Sequence, residues 1–245
     1  MLRNNPLISL LFILFAFSCS ESLFAASVSS ILVEAEEWEG ATQKDGTGLY
    51  WEIMRRVFEP EGIKVNTNTS TFKRSVGLLN EGSVDAMMGA YKGEVKGGLY
   101  STLHFDYDEV SALHRKDVQW QGESTLENKE VAWISGYKIA EFLSVSMKVH
   151  EYYERKKMIK LLDEGKLDFV IEAAYDLKKE LEKGYVDAKN FELHKVKEVN
   201  MYVVFSDDAL GKELRDIFDR QFKKLVDSGE AKKLFDKWNW PTFPD

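Results

Sequence analysis

Apolar positions along this chain come in short blocks, and the spacing within each block predicts strands alternating with amphipathic helices. Residues 31–34 read as a first strand. Residues 49–58 read as a helix, because Ile53 and Val57, and Met54 and Phe58, recur at the i,i+4 spacing of one helical face. Pro60-Glu61-Gly62 stops that helix, and 63–65 starts a second strand. Ser70 or Thr71 is placed to cap the next helix, whose apolar face is Phe72, Val76 and Leu79. The order strand–helix–strand–helix–strand predicts a parallel sheet with right-handed crossovers.

The chain then says the same thing twice. Leu78-Leu79-Asn80-Glu81-Gly82-Ser83-Val84-Asp85-Ala86-Met87-Met88 returns 83 residues later as Leu161-Leu162-Asp163-Glu164-Gly165-Lys166-Leu167-Asp168-Phe169-Val170-Ile171. Each copy reads as a helix end, a glycine in the left-handed position, one Asp and a short unalternating strand buried on both faces. Two such junctions at that separation suit two similarly built α/β lobes.

Between and after the copies the pattern restarts. Residues 91–109 are irregular, 110–114 form a strand leading away from the first lobe, and 117–129 are a polar connection. A strand at 131–134, a turn at Ser135-Gly136, the apolar part of a helix at 139–143, an extended stretch at 145–150 and a helix at 154–164 follow. Residues 201–205 make another strand. A long amphipathic helix with Leu210, Leu214, Ile217, Phe218, Phe222 and Leu225 comes next, then a short one with Leu234, Phe235 and Trp238. The expected division is 26–112 with 200–245 as one lobe, and 113–199 as the other.

Composition narrows the setting. Residues 1–25 carry Arg3, an eleven-residue apolar run at 7–17 and small residues before a cleavage point after Ala25, the form of an export signal. The run is too short to span a bilayer, which needs roughly 20 residues. The single cysteine, Cys19, lies inside this segment, and Ala16-Phe17-Ser18 before it matches a lipid-attachment sequence poorly. A mature chain of 220 residues without cysteine follows, periplasmic, not embedded in the membrane and not anchored by lipid. Its net charge of −8 and lack of a basic run argue against nucleic acid as a partner.

Catalytic motifs are missing: no Gly-x-Ser-x-Gly, no phosphate loop, no His-Glu-x-x-His. His104, His114, His150 and His194 have no ligand spacing, so neither metal nor other cofactor is expected, and Asp106, Asp108 and Glu109 read as a solvated loop. Polar and aromatic residues gather instead at strand ends, where open α/β sheets bind ligands. Trp38 follows the first strand, Tyr91 and Lys92 the third, Ser135, Gly136 and Tyr137 the first of the second lobe, and Glu172 and Tyr175 the second repeat. Arg74 sits in the first turn of its helix, where the dipole is unfavourable, and so invites an anionic partner.

Five segments in order resemble bacterial extracellular solute-binding proteins of family 3, the two-lobed periplasmic proteins associated with amino-acid uptake. Asp45-Gly46-Thr47-Gly48-Leu49-Tyr50-Trp51-Glu52-Ile53 is similar to that family's "dGkptGfdvDl", and Leu79-Asn80-Glu81-Gly82-Ser83-Val84-Asp85-Ala86 to its "L.sGkvDai". Leu126-Glu127-Asn128-Lys129-Glu130-Val131-Ala132 resembles "dLkGkkVav", and Asp227-Ser228-Gly229-Glu230 with Lys237-Trp238 resembles "dG…i..KW". The resemblance implies a type II periplasmic-binding-protein-like α/β fold, each lobe a mainly parallel sheet flanked by helices. It also implies a non-enzymatic monomer that closes its hinge on a small polar solute, amino-acid-like or another small anion, and serves a membrane permease or a sensor.

The departures matter as much. The family's carboxylate-clamping arginine falls at Gly97, after Lys96; its amine-binding aspartate falls at Ala173, beside Glu172; and the aspartate of "Gfd" is Tyr50. The ligand set expected here is therefore Trp38, Tyr50, Arg74, Tyr91, Lys92, Ser135, Gly136, Tyr137, Glu172 and Tyr175, with Arg74 as main cation. Alternatives are an accessory or sensory protein acting through a protein partner, a dehydratase-type enzyme on the same scaffold, and a scaffold that binds no solute.

Overall fold

A computed structural model describes residues 28–243. The expected export signal and Cys19 lie outside the described residues. Among those described, no helix is long and apolar enough to cross a membrane.

Strands β1 (Ser30–Glu36), β2 (Lys64–Ser70) and β3 (Ala86–Tyr91) are parallel, in the order β2-β1-β3. Helices α1 (Leu49–Phe58) and α2 (Phe72–Asn80) make the crossovers. Gly48, at φ 128°, lies so close to the Ala41 carbonyl that a Cβ there would sit 2.2 Å from its oxygen, so glycine is needed for α1 to start. Thr71 caps α2 through its side chain, which accepts from Arg74 N. After the two-residue strand β4 (Leu99–Tyr100), β5 (Asp106–Arg115) leaves for the second half of the sheet. There β6 (Glu130–Ile134), β7 (Lys148–Tyr152) and β8 (Phe169–Ala173) are again parallel, with α3 (Arg155–Asp163) leading into β8. Helix α4 (Ala174–Glu182) follows directly. The 15-residue strand β9 (Phe191–Phe205) returns, and α5 (Ala209–Asp227) and α6 (Glu230–Lys237) pack on α1.

The duplicated sequence does the same job in each half. Gly82 and Gly165 both take left-handed φ, 68° and 72°. The Asp85 carboxylate accepts from Leu32 N at 2.7 Å and its amide donates back to Leu32 O; Asp168 does likewise with Glu130, at 3.0 Å to its carboxylate. One side chain thus ties each repeat strand to its parallel neighbour, β1 or β6.

Strands β5 and β9 hold the halves together. They pair antiparallel along their length, while β9 also pairs β3 near its end and β5 pairs β8. The β5–β9 register shifts between Val110 and Ser111, a bulge at the crossing between halves. The division expected at 112/113 and 199/200 cuts these two strands.

Two expectations need correction. Residues 139–143 are not a helix but a 3₁₀ turn, Ile139–Phe142, with Ile139 its one buried residue; a single apolar anchor is too little to hold a longer helix. Residues 106–109 are no solvated loop either. They begin β5, and Asp106 is fully buried because the Tyr50 hydroxyl (2.7 Å), Trp240 Nε1 (2.6 Å) and the Thr242 hydroxyl (2.5 Å) all donate to it.

Candidate functional site: an acidic, aromatic cleft between the lobes

The carboxyl ends of β1, β3, β6 and β8 meet at the seam between the halves. A pocket there is lined by Trp38, Tyr50, Tyr91, Tyr137, Tyr175 and Trp240, by Glu94, Asp108, Glu172 and Asp176, and by Gly89, Ala173 and Met201. The free space is about 30 Å³, room for roughly two waters. The lobes stand close together at this pocket, and wider openings flank it along the same seam, one lined by Glu36, Ser70 and Ser135 and another by Trp38, Arg155 and Asp176.

Local backbone design shapes this wall. The β3–β9 register is irregular between Met87 and Ala90, and Gly89 takes φ +83°. A Cβ on Gly89 would lie 2.3 Å from the Trp38 ring, so the missing side chain is the space that the indole fills. Tyr50, in the first turn of α1, packs edge-on against Phe105 and Trp240. Trp240 reaches from the chain's end to within 4.8 Å of Tyr175, ring to ring, in the other lobe.

Contacts across the seam are polar as well. Arg155, the first residue of α3, reaches Glu36 at the end of β1 (Nη1 to Oε1, 2.8 Å). It also lies 3.2 Å from Glu172 and 3.4 Å from Asp176 in its own lobe. The Tyr137 hydroxyl donates to Glu36 at 3.3 Å, and Lys138 N donates to the Glu94 carboxylate at 3.0 Å. Glu94 additionally accepts from Tyr91 N, and the Tyr91 hydroxyl donates to Asp108 at 2.8 Å. Phe72 meets Tyr137, and Tyr91 meets Phe142, each edge to face.

Burial dominates the acid–base state of these groups. It pushes Glu94 up to about 7, against the two backbone N–H groups and nearby Lys138 that oppose the shift. It pushes Asp108 well above the carboxylate range, more than the Tyr91 hydroxyl lowers it. Glu172 and Asp176 share Arg155, and both are raised, because desolvation outweighs the attraction of the guanidinium. Asp106 is raised by burial despite its four hydrogen bonds.

Of the expected ligand residues, Trp38, Tyr50, Tyr91, Tyr137, Glu172 and Tyr175 line the one pocket. Ser135 and Gly136 lie at the seam beside it. Ser135 donates to Glu151 in its own lobe, while Gly136 abuts Lys73 of the other. Arg74 and Lys92 lie elsewhere. Arg74 is exposed, and Lys92 is exposed over the Tyr202 ring, 5.8 Å from its centroid. The cation that reaches the cleft is Arg155, which the sequence reading missed, although the criterion applied to Arg74, a basic residue in a first helical turn, fits it equally. Glu36, Glu94, Asp108 and Asp176 were missed too. One further grouping, at the far end of β5 and β9, puts ligand atoms of His114, Glu192 and His194 within 4.8 Å of one another. The sequence shows no ligand spacing for these histidines, because the antiparallel pairing of β5 with β9 is what brings them together; His114 is buried beside Trp120 and Phe169.

No family model and no curated protein matches the chain. Solved structures do. The chain is similar to a substrate-binding protein of an amino acid ABC transporter, with TM-score 0.68 and 21% identity over 85% of this chain and 98% of that one. A histidine kinase sensor domain with similarity to periplasmic binding proteins superposes with TM-score 0.76, at 15% identity over 89% of this chain and 99% of that one. The substrate-binding protein AbpA of Streptococcus pneumoniae, bound to L-arginine, gives TM-score 0.68 and 18% identity over 86% of this chain and 94% of that one. The fold is that of the two-lobed solute-binding proteins, as the five sequence motifs implied.

Proposed function

We propose that this protein is a non-enzymatic binding protein that captures a small polar solute between its lobes by hinge closure, as an exported component for a membrane permease or a sensor. The carrying observation is the pocket at the seam, where strand ends from both lobes bring aromatic and carboxylate groups to one place. With room for about two waters, the shut cleft admits a solute only after the lobes part, and β5 and β9 with their bulge are the connection about which they turn.

A second reading has its own observation: Arg155 bridges the lobes through Glu36 and Glu172, a direct ionic contact that holds their facing surfaces together. A protein that works through its closed outer surface on a partner would need nothing more.

Calorimetric titration with a panel of small anions, neutral polyols and organic cations separates the two. Saturable binding of one class at 1:1, without turnover, is expected; no binding in any class up to millimolar concentration contradicts solute capture and leaves the partner reading.

A further inference from the structure

The charge of the cleft is lopsided. Among the described residues, Glu94, Asp108, Glu172 and Asp176 line the pocket, and no lysine or arginine does. Glu36 and Asp106 stand just behind, both buried. Against these six carboxylates the nearby cations are Arg155, spread over Glu36, Glu172 and Asp176, and Lys138, paired at 3.9 Å with Glu141 on the rim. Where these groups are ionised, an anionic solute would enter the field with no lysine or arginine of the lining to pair with it.

A second observation points the same way. Glu172 is 2% exposed, and its Oε1 is occupied by the Ala173 amide. Its Oε2 is buried with no hydrogen-bond partner: Arg155 Nε lies 3.2 Å away, but outside hydrogen-bonding geometry, and is itself unsatisfied. Among the described residues this buried acceptor therefore has the ionic attraction of Arg155 but no hydrogen bond. Around it stand Trp38, Tyr91, Tyr137, Tyr175 and Trp240, whose ring faces attract cations and not anions.

Resting on the solute-binding reading above, we infer that the cleft takes a small organic cation, an ammonium or guanidinium, held by Asp108 and Glu172 within the aromatic wall. Arg155 shows how the site treats such a group, since a guanidinium already sits among Glu36, Glu172 and Asp176. The solute adds a second positive charge beside Asp108 and Glu94, which have no ion pair among the described residues, unlike Glu172 and Asp176.

Binding then has a proton signature. Glu172 faces Arg155, Asp176 and Glu36; Asp108 faces Tyr91, Asp106, Asp176 and Glu172; Glu94 faces Lys138, Glu141 and the amides of Tyr91 and Lys138. Burial favours the protonated form of all three, so an entering cation expels protons and affinity rises with pH.

The test titrates agmatine (guanidinium and ammonium, no carboxylate), choline, L-glutamate and glucose into the full protein by calorimetry at pH 6 and pH 8. Two buffers of different ionisation enthalpy count the protons. Agmatine or choline is expected to bind at least tenfold more tightly than L-glutamate, more tightly at pH 8, with net proton release. Asp108→Asn and Glu172→Gln should each weaken that binding at least tenfold while keeping the wild-type circular-dichroism spectrum. Tighter binding of L-glutamate or glucose overturns the cation assignment but leaves solute capture standing. Cation binding that neither substitution weakens overturns the site. Failure of all four probes, together with an empty result from the wider panel, removes the solute-binding reading itself.

Discussion

Replacing Arg155 with alanine is expected to destabilise the protein by about 3–5 kcal/mol at pH 8, the usual cost of removing one partner from a buried ionic group. For a chain of this size that corresponds to a fall in melting temperature of roughly 6–20 °C. The reason is local. Glu36, Glu172 and Asp176 converge on one guanidinium, and Glu172 is almost wholly shielded from water. Without it, like charges face one another in a desolvated seam, and the lobes lose their direct ionic bridge. The deficit should shrink at pH 5, because the raised carboxylates then take up protons in place of the missing cation. Arg155→Lys should recover only part of the loss, since an ammonium cannot span three acceptors on two lobes as a planar fork does. Thermal melts of the three proteins at both pH values are the check. An alanine variant as stable as the wild type at pH 8 would mean that the bridge contributes nothing.

Wild-type stability should itself fall as pH rises from about 5 to 8. Glu94 carries the clearest part of this effect. Its carboxyl titrates near 4.5 in an unfolded chain and about 7 in the folded protein, so the native state binds more protons in between. A raised folded value gives stability that is fully present below the unfolded one and lost as pH climbs through 7. A shift of that size corresponds to about 3 kcal/mol, at 1.36 kcal/mol per unit. Glu172 and Asp108 act in the same direction. Urea unfolding at pH 5 and pH 8.5 measures the difference, and Glu94→Gln should flatten the profile. A wild-type profile that is flat or rises over this window would contradict the burial of these carboxylates.

The fold was legible because its signals are local and periodic. The duplicated Leu-Leu-x-Glu-Gly-x-x-Asp junction specifies a helix stop and a left-handed glycine within a few residues, and both were read where they occur, whereas the latch made by each Asp carboxylate shows only in the structure. Strand lengths were read short. β9 runs for 15 residues, but its first part carries Glu, His and Lys on half-exposed faces and lacks the apolar run that marks 201–205. The site was half legible. Residues placed by strand ends, such as Trp38, Tyr91, Tyr137 and Glu172, converge as parallel-sheet geometry demands. Asp106 and Asp108 were hidden, because what buries them comes from far along the chain: Tyr50, Tyr91, Trp240 and Thr242. Arg155 was hidden for a related reason. It lies in a run with Lys156 and Lys157, all alike in the sequence, and only the docking of one lobe on the other selects it.

The central claim is that two lobes open and close on a solute, and a distance between them tests it most directly. Arg74 and Lys156, both exposed and on opposite lobes, can be replaced by cysteine and spin-labelled, with Cys19 changed to serine. Pulsed electron-paramagnetic-resonance distances would be recorded for the protein alone and saturated with the tightest-binding compound of the calorimetric panel. The account predicts a population of longer distances in the free protein that collapses to the short distance of the shut form when the compound binds. A single distance, unchanged by a compound that calorimetry shows to be bound, would contradict it.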